Sequence, residues 1–265
     1  METENSSSYS EEQENKEAMQ VLKSERFENS FKDAVEVKKS WDNLFPFTIL
    51  DDLLEKDSKL YENDEIVRCR RNSAKNLSNA KQWSQMVTGA FWEIVNGQED
   101  KAVREFRKLG LYNSLYDFVH HIKYFETVKK VMEERGERVY IFGRSRCSIH
   151  DIDKLHPIML VGYAEKFDDH KDTLLWQVTL EKHIKMNPHH QGNRLWSNEN
   201  NYSDDLKYVA LGEMICDKVS RRLQKDLKGK LDEDMWNVDI KYFDGLPPYW
   251  LAKALEILNK LKRSK

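Results

Sequence analysis

Apolar residues recur at the spacing of helices with one buried face through most of this chain. Over residues 20–39 the repeat runs Val21, Leu22, Phe27, Phe31, Ala34 and Val37. Residues 41–54 are rich in Leu, Ile and Phe but interrupted by Pro46, which predicts an irregular turn and then a short helix. A long helix is predicted over 74–97, apolar at Leu77, Ala80, Trp83, Met86, Val87, Phe91 and Ile94 and closed near Gly97. A shorter one follows over 100–109 and stops at Gly110. Residues 114–135 carry Leu115, Phe118, Ile122, Phe125, Val128 and Met132, with Gly136 as the C-terminal cap. The run from Arg138 to Phe142 is either a lone strand or a buried extended piece. Further helices are predicted over 157–167, 171–185 and 204–227, the last ended by Gly229. A final helix runs from Pro247 or Pro248 to Lys262, with proline in the first turn, where its missing N–H costs nothing. No internal repeat is visible, and the body is expected to be all-α.

Composition narrows this reading. The 265 residues include 34% charged side chains but only 10 Gly and 5 Pro, which suits a helical protein with solvated faces. A net charge of −3 of mixed sign gives no bulk field for nucleic acid. Cys69, Cys147 and Cys216 are sparse and in no C-x-x-C pattern, which fits a reducing compartment. No apolar run approaches the roughly 20 residues of a membrane span. The acidic, Ser-rich N-terminus lacks the apolar stretch of a secretory signal. An intracellular, cytoplasmic protein is expected, with the nucleus open. Three segments follow: a disordered tail of residues 1–20, a helical N-terminal extension over 21–110, and the chemistry-bearing domain over 111–265.

All eight histidines lie between His120 and His190. At the middle of that window stands Ser148-Ile149-His150-Asp151-Ile152-Asp153-Lys154, an adjacent imidazole and carboxylate with a lysine three residues on. Such a pair can give two ligand types to one metal, or let the carboxylate bridge two. Upstream, neighbouring helical positions point about 100° apart, so only one of His120 and His121 faces a common centre. His121 shares its face with Phe118, Phe125, Val128 and Met132 and is the better candidate. A core histidine bonded to a carbonyl or carboxylate is the alternative. Downstream, Asn187 is expected to cap a helix that starts at Pro188. That would put His183 in the last turn of one helix and His189 and His190 in the first turn of the next. A charge-dipole contact at a helix C-terminus is the alternative for His183, and a surface turn is the alternative for the doublet. Glu213 and Asp217, four apart, share one face of the later helix, and pairing of Asp217 with Arg221 is the simpler reading.

The order His121, His150-Asp151, His183, His189-His190, Asp217 resembles the HD-domain superfamily of metal-dependent phosphohydrolases, and in particular its dinuclear branches. It is most similar to a small uncharacterised HD-like family with the pattern S-x-H-D-x-S-K, then H-x-x-x-N-x-H-H, then E-M-x-x-D-W. Pro157, Tyr163, Phe167, Asn187, Trp196 and Glu213-Met214 fall on that pattern as well. The chain departs from it at Asp153, where Ser is usual, at Lys218, where Trp is usual, and in the position of Trp176. It lacks the Gly-Tyr-Pro signature of cyclic-dinucleotide hydrolases. The resemblance covers about residues 113–262 and implies an HD-like helical bundle.

It further implies that His121, His150, Asp151 and Asp217 bind one divalent metal. Asp151 would bridge to a second, held by His183 and by His189, His190 or both. Fe or Mn is the first expectation, and Zn, Co or Ni is also suited to such ligands. Asp151 and Lys154 would be catalytic, with Lys154 neutralising a phosphate or bonding the bridging water. Arg144 and Arg146 are looser phosphate-binding candidates. The implied activity is hydrolysis of a nucleotide or small phosphoester. Two alternatives are an HD-type di-iron oxygenase and a non-enzymatic, metal-stabilised interaction protein. A phosphate-bearing small molecule is the expected partner, without membrane or bulk nucleic acid, and a homo-oligomer is open.

Overall fold

Helices occupy the segments where the apolar repeat has helical period. The computed structural model describes residues 19–36, 65–76, 80–141, 149–197 and 202–263. Among them the chain is all-α, with ten α-helices and no strand. In chain order these are α1 (Glu25–Glu36), α2 (Glu65–Asn76), α3 (Ala80–Val95), α4 (Lys101–Lys108), α5 (Tyr112–Glu134), α6 (Pro157–Phe167), α7 (Leu174–Met186), α8 (Arg194–Ser197), α9 (Asp204–Lys225) and α10 (Pro248–Arg263). No described helix is long and apolar enough to cross a membrane.

Most predicted ends fall close to the observed ones. Gly136 adopts φ 81°, and Glu137 N–H donates to Met132 C=O at 2.9 Å, so α5 ends in the glycine cap its sequence predicts. Residues 138–141 are neither a strand nor a buried piece: no ladder forms there among the described residues, and Val139 is buried while Arg138 and Tyr140 are exposed. Helix α2 was not expected. Its sequence is arginine-rich, and what it buries includes Arg70 and Arg71 themselves. The expected disordered tail (save Met19 and Gln20), the short helix after Pro46, and Arg144 and Arg146 lie outside the described residues.

The chain divides into two compact units, and each is built from separate stretches. The first comprises Met1–Glu28, His120–His150 and Ile184–Lys265; the second comprises Asn29–Val119 and Asp151–His183.

In the first unit the core is α5 against α9 and α10. Phe125, Val128 and Met132 meet Leu211, Met214, Ile215 and Val219, with Ala254, Ile257, Leu258 and Leu261 completing the layer. The inward stripe of α9 is wide: every residue from Ala210 to Asp217 is buried. Polar residues on that stretch are therefore drawn inside with the apolar ones, and each needs a partner.

In the second unit Phe31 stacks on Phe91 at 4.1 Å, and Trp83 packs against Phe106 while its indole N–H donates to Leu155 C=O at 2.7 Å. That last bond ties α3 to the 3-10 turn Ile152–Leu155. Arg71 forms a two-pronged pair with Glu165 of α6 at 2.5 and 2.8 Å, and Thr173 donates to the same carboxylate at 2.7 Å. These bonds balance the cost of burying an ion pair, which would otherwise be several kcal/mol per ion.

Candidate metal centre

His121 lies on the face of α5 that the apolar repeat selects, fully buried, while His120 is half-buried. Its Nε2 is 3.0 Å from Asp217 Oδ1 on α9. Four residues earlier on α9, Glu213 points into the same interior, so both acids of the expected pair are inside. His150 spans the two. Its Nδ1 is 2.9 Å from Glu213 Oε1, and its Nε2 is 3.5 Å from Asp217 Oδ1. His189 Nδ1 lies 3.3 Å from the same Glu213 oxygen, and the His189 ring sits 4.2 Å from that of His190.

Asp217 Oδ1 thus faces two imidazole Nε2 atoms. With Nδ1–H of His150 donated to Glu213, the Nε2 of that ring is a lone pair aimed at a carboxylate oxygen. Such an arrangement becomes favourable when a proton or a metal ion lies between them. Bonds of about 2.0–2.2 Å to one metal, at angles of about 90–110°, would place ligand atoms about 3.0–3.5 Å apart. The observed 3.0 and 3.5 Å match that spacing. His150, His189 and Glu213 also offer one ligand atom each, all within 4.8 Å of one another.

Charge in this unit suits a cation. Burial drives the His121 imidazole down to about 3, and Arg221 pushes the same way against the opposing effect of Asp217. The ring is therefore neutral, the form that binds metal. Burial alone would raise the Glu213 carboxyl, but the neighbouring His189 and the hydrogen bond from His150 bring it down to about 2. Burial acts likewise on Asp217. Lys218, with Nζ 2.8 Å from Oδ2, outweighs it together with the nearby imidazoles of His121 and His150 and holds Asp217 well below the carboxylate range. Arg221, four residues on, also donates to Gln224 at 3.1 Å.

The second unit holds the acid that follows His150 in the chain. Asp151 adopts φ 54°, ψ 26°, a left-handed conformation uncommon outside glycine but more accessible to Asp than to most residues. Lys154 N–H donates to Asp151 C=O at 2.9 Å, closing the 3-10 turn. The Lys154 ammonium is 2.7 Å from Asp151 Oδ2 and 5.1 Å from the Tyr163 ring centroid. On α7, buried His183 directs Nε2 to within 3.6 Å of Asp151 Oδ1 and Nδ1 to within 2.7 Å of Asp153 Oδ2.

The sequence placed His183 well but misread the corner after it. Asn187 does not cap a helix at Pro188. Residues 187–193 form turns, and α8 starts only at Arg194. Asn193 supplies the cap instead: its Oδ1 accepts from Leu195 N–H at 3.0 Å, and its amide donates back to Ile184 and Lys185 C=O. The Trp196 indole N–H bonds Pro188 C=O at 2.8 Å and holds the proline in the turn. Glu213 and Asp153 were not counted among the candidate ligands. The i, i+4 spacing to Asp217 was a signal for the first, while no spacing along the chain pointed to the second.

Fold and sites together define an all-helical protein with buried clusters of imidazole and carboxylate that could hold a metal ion. A model described as "Family of unknown function (DUF5662)" matches residues 111–244, just over half the chain, and the chain belongs to that family. The matched stretch contains every candidate ligand from His121 to Asp217. No curated protein and no solved structure matches the chain.

Proposed function

We propose that this protein is a metal-dependent phosphohydrolase of HD type, acting on a nucleotide or small phosphoester through two metal ions. The observation that carries the reading is Asp217 Oδ1 standing 3.0 Å from His121 Nε2 and 3.5 Å from His150 Nε2, at the separation of atoms sharing one ion. These three residues would hold the first ion. Asp151, next to His150 in the chain, would join it and bridge to a second, with His183 and one or both of His189 and His190. The donor set of imidazoles and carboxylates suits Fe or Mn, and also Zn, Co or Ni. Bound ions would supply Lewis acidity and a water acidic enough to attack phosphorus near neutral pH.

The protein's own residues do the remaining work. Glu213 accepts from Nδ1 of His150, which leaves Nε2 of that ring as a donor atom. Lys154, held against Asp151, supplies positive charge for a phosphoryl oxygen.

The test is elemental analysis of purified protein followed by a panel of nucleotides and phosphoesters. About one to two transition metals per chain, lost on Asp151→Ala, with metal-dependent phosphate release, is the expected result. Oxygen consumption by iron-loaded protein without phosphate release would move the assignment to the oxygenase chemistry. Metal uptake with neither activity would leave a metal-stabilised interaction protein. Protein that takes up no Mn or Fe on soaking would sink the metal reading altogether.

A further inference from the structure

We infer that Asp153 is a positioning residue for His183, fixing which imidazole nitrogen is available as a metal ligand. The inference rests on the metal reading above. Its geometry lies wholly within the second unit. Asp153 and His183 are both buried, and Nδ1 and Oδ2 are 2.7 Å apart, the length of a charge-assisted hydrogen bond. An ionised carboxylate can only accept, so the proton of that bond sits on Nδ1. In the neutral ring Nε2 then carries the lone pair, and it is Nε2 that lies 3.6 Å from Asp151 Oδ1. The backbone makes this possible. Asp151 in the left-handed region and the tight 3-10 turn after it let two acids, two positions apart, meet opposite nitrogens of one ring. The arrangement is carboxylate, then imidazole, then ligand side, the order in which outer carboxylates orient metal-binding histidines.

Asp153→Asn is the informative variant, because it keeps size and shape. An amide can present its NH₂ to Nδ1 and so stabilise the other tautomer, with the proton on Nε2. Two measurements test the inference. In metal-free protein, the ring ¹⁵N shifts of His183 should show the proton on Nδ1 in wild type and its loss from Nδ1 in Asp153→Asn. In Co(II) titrations, Asp153→Asn should weaken one ion about 10- to 100-fold and leave the other within about twofold. His183→Ala should weaken that same ion, and Asp153→Glu should recover part of the affinity. A wild-type His183 protonated on Nε2 would overturn the inference. So would an Asp153→Asn protein that binds both ions as wild type does while His183→Ala loses one. Wild type that takes up no metal but carries the Nδ1 proton would refute the proposed function and leave the tautomer assignment standing.

Discussion

The ring of Phe125 lies flat on the imidazole of His150, with centroids 4.0 Å apart and planes 7° apart. Glu213 fixes one nitrogen of that imidazole, and Phe125 fixes the plane of its ring. Phe125 is fully buried in the core of the first unit, so it serves packing and site geometry together. Phe125→Leu should cost about 1–2 kcal/mol of stability and lower metal affinity several-fold. Phe91→Leu, which breaks the stack with Phe31 in the second unit, is the control. It should cost similar stability without changing metal affinity. Thermal melts with Co(II) titrations separate the two, and equal metal affinity in both variants would refute the orienting role.

A second prediction concerns pH. Asp168 follows the last residue of α6 and is partly buried. Burial raises its carboxyl above the ordinary range, Asp169 and Asp117 push the same way, and Arg70 and the bond from Ser114 oppose them. An anion at a helix C-terminus is also unfavourable. Because the folded value lies above the unfolded one, the folded chain holds a proton across that window which the unfolded chain has released. Stability from this group is therefore present in acid, falls as pH rises through the window, and stays low at neutral pH. Asp168→Asn should raise stability by a few tenths of a kcal/mol, or about 1 °C, at pH 7. The gain should vanish near pH 3. A gain independent of pH would mean that charge is not the cause.

What the sequence made legible follows from what burial does to each residue type. His121 could be chosen over His120 because its neighbours Phe125 and Val128 are apolar and repeat with helical period. The glycine ends of α4 and α5 were equally readable. Helix α2 was not, because its inward residues include Arg70 and Arg71, and arginine reads as solvated until Asp169 and Glu165 are brought to it from about a hundred positions away. Glu213 escaped for a related reason. A helical register puts it beside Asp217 but does not say that two histidines from other segments will converge on its one oxygen.

Close approach of α6 and α7 depends on one missing methyl. A Cβ on Gly162 would lie 2.4 Å from Thr179 Oγ1 and 3.0 Å from its Cγ2. Thr179 is buried and bonded to Trp176 C=O at 2.8 Å, so it has little freedom to move. Gly162→Ala should destabilise by about 1–3 kcal/mol, despite the better helix propensity of alanine. It should also weaken metal binding, since His183 is one turn beyond Thr179 on α7. Thr179→Ala in the same chain should recover part of both losses, giving a coupling of about 0.5–3 kcal/mol. Strictly additive effects of the two substitutions would show that the helices are not held apart at this point.

The corner that carries His189 and His190 gives the sharpest prediction, because one side chain uses both ends of its amide. Asn193 is buried, its NH₂ donates to Ile184 and Lys185 C=O at 2.7 and 3.1 Å, and its oxygen caps α8. Asn193→Ala removes these part-buried bonds and the cap of α8, at a cost of about 1–3 kcal/mol. Aspartate is as good a helix cap as asparagine, so Asn193→Asp would be mild if capping alone mattered. Here it would turn a donor into a carboxylate facing two carbonyl oxygens in a buried place. Asn193→Asp should therefore be at least as destabilising as Asn193→Ala at pH 7. Its deficit should shrink in acid, where the carboxyl is protonated and can donate again. Both variants should lower metal affinity by displacing His189 from Glu213. Chemical denaturation at pH 7 and pH 4 reads the first effect, and Co(II) titration reads the second. An Asn193→Asp protein as stable as wild type at pH 7 would mean that the backward bonds to α7 do not hold the corner.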